Sequence, residues 1–258
     1  MKTKDAVMKN SEHEQTDALN HAITLLNAAN RVVAFTGAGM SAESGVPTFR
    51  DGLTGYWAQF DPMELATPEG FATDPERVLA WYATRRAAVK KCEPHDGYLA
   101  LMSLASRKRV TVITQNVDRL HQRAGHDDVI ELHGNLLEER CNRCQRVDPR
   151  EPELKPPHQR YCQDCAAPLR PAVVWFNESL SLQALDEAEH AFKACDLVLV
   201  IGTSANVYPA ASLPRLVKCN GGWIIVINPS HTAHVPNADV FLQGSAKHFL
   251  PMLVDAVD

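Results

Sequence analysis

Five short apolar runs constrain this chain more than any other feature. They are Arg31–Thr36 (RVVAFT), Val110–Thr114 (VTVIT), Val129–Leu132 (VIEL), Leu197–Gly202 (LVLVIG) and Trp223–Asn228 (WIIVIN). Each is almost continuously apolar instead of alternating, and helical patterns separate them. A strand needs apolar residues on both sides only when both faces are covered, so the runs predict parallel strands of an α/β sheet. The end of each run carries Gly, Asn, Ser, Thr or His. Open parallel sheets bind ligands beyond the carboxyl ends of their strands, so five separate loop signals point to one crevice.

Helices are expected at Thr16–Asn27, after the first strand, and at Pro75–Lys91, His95–Ser106 and Leu182–Ala194. The expected architecture is a Rossmann-like parallel sheet domain built from residues 16–50, 96–136 and 171–258. A helical insertion spans 51–95, and a small second insertion spans 137–170. With 258 residues, 45% hydrophobic and 22% charged, the chain can bury a substantial core. A formal net charge of −5 argues against binding nucleic acid through bulk charge. Residues 1–15 are polar and lack the apolar core of a signal peptide, so they read as a disordered leader. No apolar run reaches the ~20 residues of a membrane span. A soluble, cytoplasmic protein is the expectation.

Four of the seven cysteines form two tight pairs, Cys141-Asn-Arg-Cys144 and Cys162-Gln-Asp-Cys165. Each CxxC brings two thiolates onto one turn, and two such turns supply the tetrahedral sulfur shell of a structural zinc. The second insertion is therefore expected to be a zinc ribbon holding one Zn²⁺. Four protein ligands leave no open position for a metal-bound water, so this zinc organises structure and does no chemistry. Cys92, Cys195 and Cys219 show no pairing pattern, which suits a reducing compartment.

Gly37-Ala38-Gly39-Met40-Ser41 follows the first strand, where glycines let backbone N–H groups approach a diphosphate. The continuation through Pro47-Thr48-Phe49-Arg50 changes what this loop signifies. GAGMSAESGVPTFR at 37–50, TQNVDRLHQRAG at 114–125, ELHGN at 131–135, the cysteine tetrad, RPAVVWFNE at 170–178, GTSANVYPA at 202–210 and IN at 227–228 occur in order. In these motifs the chain resembles the sirtuins, NAD-dependent protein lysine deacylases, from about Thr16 to Leu253.

That resemblance implies NAD⁺ as co-substrate. Gly37, Ala38, Gly39, Thr48, Phe49, Arg50 and Trp57 would form its binding loop. Gln115, Asn116, Val117 and Asp118 would surround the nicotinamide ribose and carboxamide. Gly202, Thr203, Ser204, Asn228 and Ala246 would meet the phosphates, adenosine ribose and adenine. His133 takes the catalytic position, where a neutral imidazole can accept a proton from a ribose hydroxyl, with Asn116 positioning ribose and water. In the implied reaction the acyl oxygen of a modified lysine attacks C1′ of the nicotinamide ribose and nicotinamide leaves. The 2′-hydroxyl then attacks the acyl carbon, and water releases lysine and 2′-O-acyl-ADP-ribose. Val174, Trp175, Phe176, Asn177 and Glu178 match the strand that pairs with an extended acyl-lysine protein substrate. Asn177 departs from the glycine usual there, and Asn tolerates the left-handed conformation better than most residues.

Tyr82 and Arg85, i and i+3 on a predicted helix, share a face. They resemble the Tyr-x-x-Arg pair of sirtuins that remove acidic acyl groups such as succinyl and malonyl. A phenol and a guanidinium at the end of an apolar tunnel can bind a carboxylate. Within the family, a plain deacetylase and a mono-ADP-ribosyltransferase are the alternatives. Outside it stand an NAD-dependent oxidoreductase, which gives no reason for the ribbon or the HGN motif, and a zinc-ribbon binding module. No direct contact with nucleic acid or membrane is expected.

Overall fold

All five apolar runs are strands of one sheet in a computed structural model, which describes residues 2–46, 61–152 and 160–257. In chain order the strands are β1 (Arg31–Thr36), β2 (Arg109–Thr114), β3 (Val129–Glu131), β4 (Gly134–Cys141), β5 (Val147–Asp148), β6 (Leu169–Val173), β7 (Leu197–Ile201), β8 (Trp223–Asn228) and β9 (Val240–Gln243). The helices are α1 (Lys2–Ala28), α2 (Ala38–Ala42), α3 (Pro62–Leu65), α4 (Pro68–Thr73), α5 (Pro75–Val89), α6 (Asp96–Ala105), α7 (Leu120–Arg123), α8 (Leu182–Ala194) and α9 (Ala246–Asp255). A 3-10 helix covers Ala210–Asn220.

The main sheet has the order β3-β2-β1-β7-β8-β9, every pair parallel. Strand order reverses between β1 and β7, and the crevice above that reversal is where a doubly wound sheet binds its ligand. The runs are apolar on both sides because both faces are covered. Leu197, Leu199 and Ile201 of β7 join a core with Leu26 of α1, Leu101 and Leu104 of α6, and Leu250 and Leu253 of α9. Val198 and Val200 point the other way, toward Phe192 of α8 and Leu213 and Val217 of the 3-10 helix. Each such side chain contributes about 1.5–3 kcal/mol on burial.

Four elements differ from the expectation. Helix α1 begins at Lys2 instead of Thr16, so the stretch read as a disordered leader is helical. Neither Gly nor Pro occurs before Gly37 to interrupt it. The sheet gains a sixth strand, β9, whose four residues are too few to register as an apolar run. The 3-10 helix and α9 carry Pro214 and Pro251 inside them, which obscures their helical pattern.

Strands β5, β4 and β6 form a separate antiparallel sheet that carries the four cysteines. It shares a core with the helical segment: Phe71, Val78, Tyr82 and Val89 pack with Leu136, Val173 and Trp175. One ion pair joins the two within this core. Arg86 of α5 and Glu139 of β4 are both fully buried, Nη2 to Oε1 3.5 Å. Glu139 also accepts from Arg160, which is 19% exposed. Removing one partner of a buried pair leaves an uncompensated charge, at a cost of roughly 3–5 kcal/mol. Arg86→Ala is therefore expected to destabilise by about that much, and Arg160→Ala by about 1 kcal/mol. Urea denaturation of the two variants checks this, and equal losses would show that the Arg86 pair is open to solvent.

Candidate active site

At the strand reversal two loops meet backbone to backbone. Gly37 N donates to Ile201 O at 2.9 Å and Gly39 N to Gly202 O at 2.8 Å. A Cβ on Gly37 would lie 2.8 Å from Thr203 Cα, and one on Gly39 would lie 2.8 Å from Gly202 Cα. Gly202 itself has a φ of +60°, the left-handed region that glycine enters without strain. Thr203 accepts from Gln115 Nε2 at 3.0 Å, which ties the end of β2 to the same crevice.

The next residue, Asn116, is buried. Its Nδ2 donates to Gly37 O and to Ser41 Oγ, both at 2.9 Å, which leaves Oδ1 as its acceptor. Ser41 donates to Asp118 Oδ2 at 2.6 Å and lies 3.0 Å from the Tyr98 hydroxyl. Asp118 Oδ1 accepts from Leu120 N at 2.9 Å. Burial raises the Asp118 pKa, and the bonds from Ser41 and Leu120 oppose that.

His133 follows β3. Its Nδ1 lies 2.9 Å from Gln115 O. A carbonyl only accepts, so Nδ1 carries the proton and Nε2 presents its lone pair. Burial lowers the pKa of His133, against the opposing bond to Gln115 O, so the ring is neutral near pH 7. Gly134 comes next with a φ of +75°, and a Cβ there would sit 2.1 Å from Ala172 O. Only glycine lets β4 start this close to β6.

Beyond β6 the chain passes directly beneath His133. Val174 N donates to His133 O at 2.8 Å, and Phe176 N donates to Ala66 O at 2.9 Å. Asn177 has a φ of +67°, so it adopts the left-handed turn expected where glycine is usual. The turn returns Glu178 to accept from Trp175 N at 2.9 Å and from Arg170 at 2.7 and 2.9 Å. Glu178 thus holds the turn together. Phe176 is 45% exposed, whereas the Trp175 side chain is buried against Phe71 and Tyr82. Tyr82 accepts from Trp175 Nε1 at 2.8 Å. The Arg85 guanidinium lies 4.7 Å from the Trp81 ring centre and 5.7 Å from that of Tyr82, which puts Tyr82 and Arg85 on one helix face.

In the small sheet, the four thiol sulfurs of Cys141, Cys144, Cys162 and Cys165 all lie within 4.8 Å of one another. Cys141 and Cys165 are 3.4 Å apart, and Cys144 and Cys162 are 3.7 Å apart. A tetrahedral zinc, with Zn–S near 2.3 Å, sets its sulfurs about 3.8 Å apart, so the cluster fits zinc. Both CxxC turns close the same way, Gln145 N donating to Cys141 O and Ala166 N to Cys162 O. Gln145 and Ala166 are both left-handed, with φ of 62° and 55°.

A model of the Sir2 family matches residues 37–209. The chain belongs to the Sir2 family. It is 47% identical over 243 residues to an NAD-dependent protein deacylase of Methylococcus capsulatus, covering 90% of this chain and 94% of the relative. An NAD-dependent protein deacylase of Ralstonia nicotianae is 48% identical over 233 residues, covering 89% and 93%. A crystal structure of a Sir2 homologue with NAD superposes with a TM-score of 0.84 at 44% identity, covering 92% of each chain. A Sir2 structure bound to a propionylated peptide superposes with a TM-score of 0.79 at 31% identity, covering 92% and 97%.

On this Sir2 scaffold, most residues singled out from sequence gather at one edge of the sheet. Gly37, Ala38, Gly39, Gln115, Asn116, Val117, Asp118, Gly202, Thr203, Ser204, Asn228 and Ala246 all lie at or just past the carboxyl ends of β1, β2, β7, β8 and β9. Thr48, Phe49, Arg50 and Trp57 lie outside the described residues. Sequence reasoning missed Ser41 and Tyr98. Ser41 lay within a quoted motif but had no evident partner, and Tyr98 sits in an amphipathic helix that reads as core. The metal prediction is direct: elemental analysis finds about one zinc per chain, and Cys144→Ser loses both the metal and much of the thermal stability. A zinc-free protein of undiminished stability would refute it.

Proposed function

We propose that this chain is an NAD-dependent protein lysine deacylase that removes succinyl and malonyl groups as well as acetyl, releasing nicotinamide and 2′-O-acyl-ADP-ribose. One observation carries the reading. His133 touches both halves of the site, its ring bound to Gln115 at the nucleotide crevice and its carbonyl bound to Val174 of the substrate strand. A base held by both sides suits a reaction that joins a nucleotide to a peptide-borne group. The names of the Methylococcus and Ralstonia relatives agree with it.

NAD, when bound, supplies the electrophilic ribose carbon and the nicotinamide leaving group. The chain supplies position and proton transfer. The bare Nε2 of His133 accepts a ribose hydroxyl proton, and its fixed tautomer readies it to do so. Asn116, with its amide nitrogen occupied, offers Oδ1 to a ribose hydroxyl or water. Asp118, anchored by Ser41 and Leu120, accepts from a carboxamide NH₂ and holds the leaving ring. The segment from Val174 to Glu178 takes the substrate peptide alongside it; the N–H groups of Val174, Trp175 and Phe176 are bonded within the chain, so these three residues offer the peptide only carbonyl oxygens. Acyl-lysine proteins are thus the partners. Cys92, Cys195 and Cys219 are free thiols, in keeping with a cytoplasmic protein. Among the described residues no helix is long and apolar enough to cross a membrane.

The acidic-acyl preference rests on Tyr82 and Arg85. A buried phenol beside a guanidinium forms a donor pair for a carboxylate, and burial holds Tyr82 protonated, its pKa raised despite Arg85. Arg85→Met is expected to lower kcat/KM for a succinyl-lysine peptide by about 10- to 100-fold, as loss of a hydrogen bond to a charged group implies. Turnover of matched succinyl and acetyl peptides, read as free nicotinamide, checks it. Equal effects on both would leave a plain deacetylase, and label from NAD retained on protein would indicate ADP-ribosyl transfer. The acid limb of the kcat/KM profile is expected below pH ~6.5, because the lowered His133 pKa keeps the base neutral to lower pH. A limb at or above that value counts against His133 as the base.

A further inference from the structure

The phenol of Tyr82 has one hydrogen-bond partner among the described residues, the indole N–H of Trp175 at 2.8 Å. An indole nitrogen only donates, so the Tyr82 oxygen is the acceptor. That contact occupies a lone pair and leaves the single phenolic proton for something else. Tyr82 is 2% exposed, so bulk water is not the receiver.

The indole is held firmly enough to impose this choice. The Arg170 guanidinium lies over its ring, 4.0 Å from the centroid. Arg170 is itself 1% exposed and binds both oxygens of Glu178. Glu178 also accepts from the backbone N–H of Trp175. Phe71 packs against the ring, with centroids 5.4 Å apart. Stacking, ion pair and left-handed turn therefore fix the direction in which the indole N–H points.

We propose that Trp175 is a specificity-determining positioning residue, which by donating to the Tyr82 oxygen commits the Tyr82 proton to the carboxylate of an acidic acyl group. This deepens the acidic-acyl reading and rests on it. Without the indole N–H the phenol can turn either its proton or a lone pair toward the ligand. A lone pair facing a carboxylate is repulsive, whereas a neutral acetyl group places no charge there. The Trp175 effect is therefore one of selectivity.

The test is a cycle of Trp175→Phe, Tyr82→Phe and the double variant, with Arg85→Met alongside, on matched succinyl-lysine and acetyl-lysine peptides at saturating NAD. Trp175→Phe keeps an aromatic ring against Arg170 and Phe71. It is expected to lower the succinyl-to-acetyl ratio of kcat/KM about tenfold, mainly through KM for the succinyl peptide. In the Tyr82→Phe background, which has no hydroxyl to orient, Trp175→Phe is expected to leave that ratio unchanged. If Arg85→Met and Tyr82→Phe abolish the preference while Trp175→Phe leaves the ratio intact, the pocket stands and the Trp175 role is overturned. A wild type with no succinyl preference, unaffected by Arg85→Met, overturns the acidic-acyl reading and this inference with it. Should Trp175→Phe not fold, ¹⁵N spectra of wild type and Tyr82→Phe decide instead. Loss of the acceptor shifts one indole N–H resonance upfield, and unchanged indole resonances overturn the proposal.

Discussion

Contact between two backbones at the strand reversal sets the geometry above the sheet. The loops after β1 and β7 approach so closely that Gly37 and Gly39 have no room for a Cβ against Gly202 and Thr203. Side chains on neighbouring strands are then fastened to that contact. Gly37 O accepts from Asn116, and Thr203 accepts from Gln115. Three strand ends distant in sequence thus share one rigid rim, and His133 is hung from it by Gln115 O. Rigidity of this kind suits the base role proposed for His133, where a displacement of about 1 Å is costly.

The small domain depends on a different constraint. Arg86 is four residues beyond Tyr82 and three before Val89, so all three face inward from α5. Its pairing with Glu139 fixes α5 against β4 and thereby sets where Tyr82 stands relative to Trp175. The cysteine cluster, which begins at Cys141 only two residues beyond Glu139, locks the same end of the strand. Metal, ion pair and aromatic core together place Tyr82, of the proposed acyl-binding pair, beside the segment proposed to hold the substrate.

Much of the main sheet was legible because its strands are buried on both faces and read as unbroken apolar runs. The cysteine tetrad was legible because ligand spacing on a tight turn is a local property. What escaped was non-local or composite. Strand β9 is too short to stand out, and the prolines in α9 and the 3-10 helix break the periodicity that would reveal them. Ser41 gains meaning only beside Asp118, 77 residues away, and Tyr98 only beside Ser41, 57 residues away. The resemblance groups Trp175 with the residues expected to pair with substrate, and nothing in its local sequence shows that its ring is buried against Phe71 and Tyr82, both distant along the chain.

The order of the main sheet also bears on how the chain is made. Strand β1 lies between β2 and β7, and its bond to the β7 edge spans 165 residues of sequence. At 5–20 residues per second, translation takes on the order of 10 s to cover that distance. Through that interval the N-terminal half-sheet carries an apolar central strand with one edge unpaired, a surface prone to pairing with other chains. The small sheet, whose two cysteine turns lie close in sequence, can close around its metal meanwhile. Metal supply therefore bears on the nascent chain as well as on the finished protein, because the small sheet can close while the edge of β1 still awaits β7.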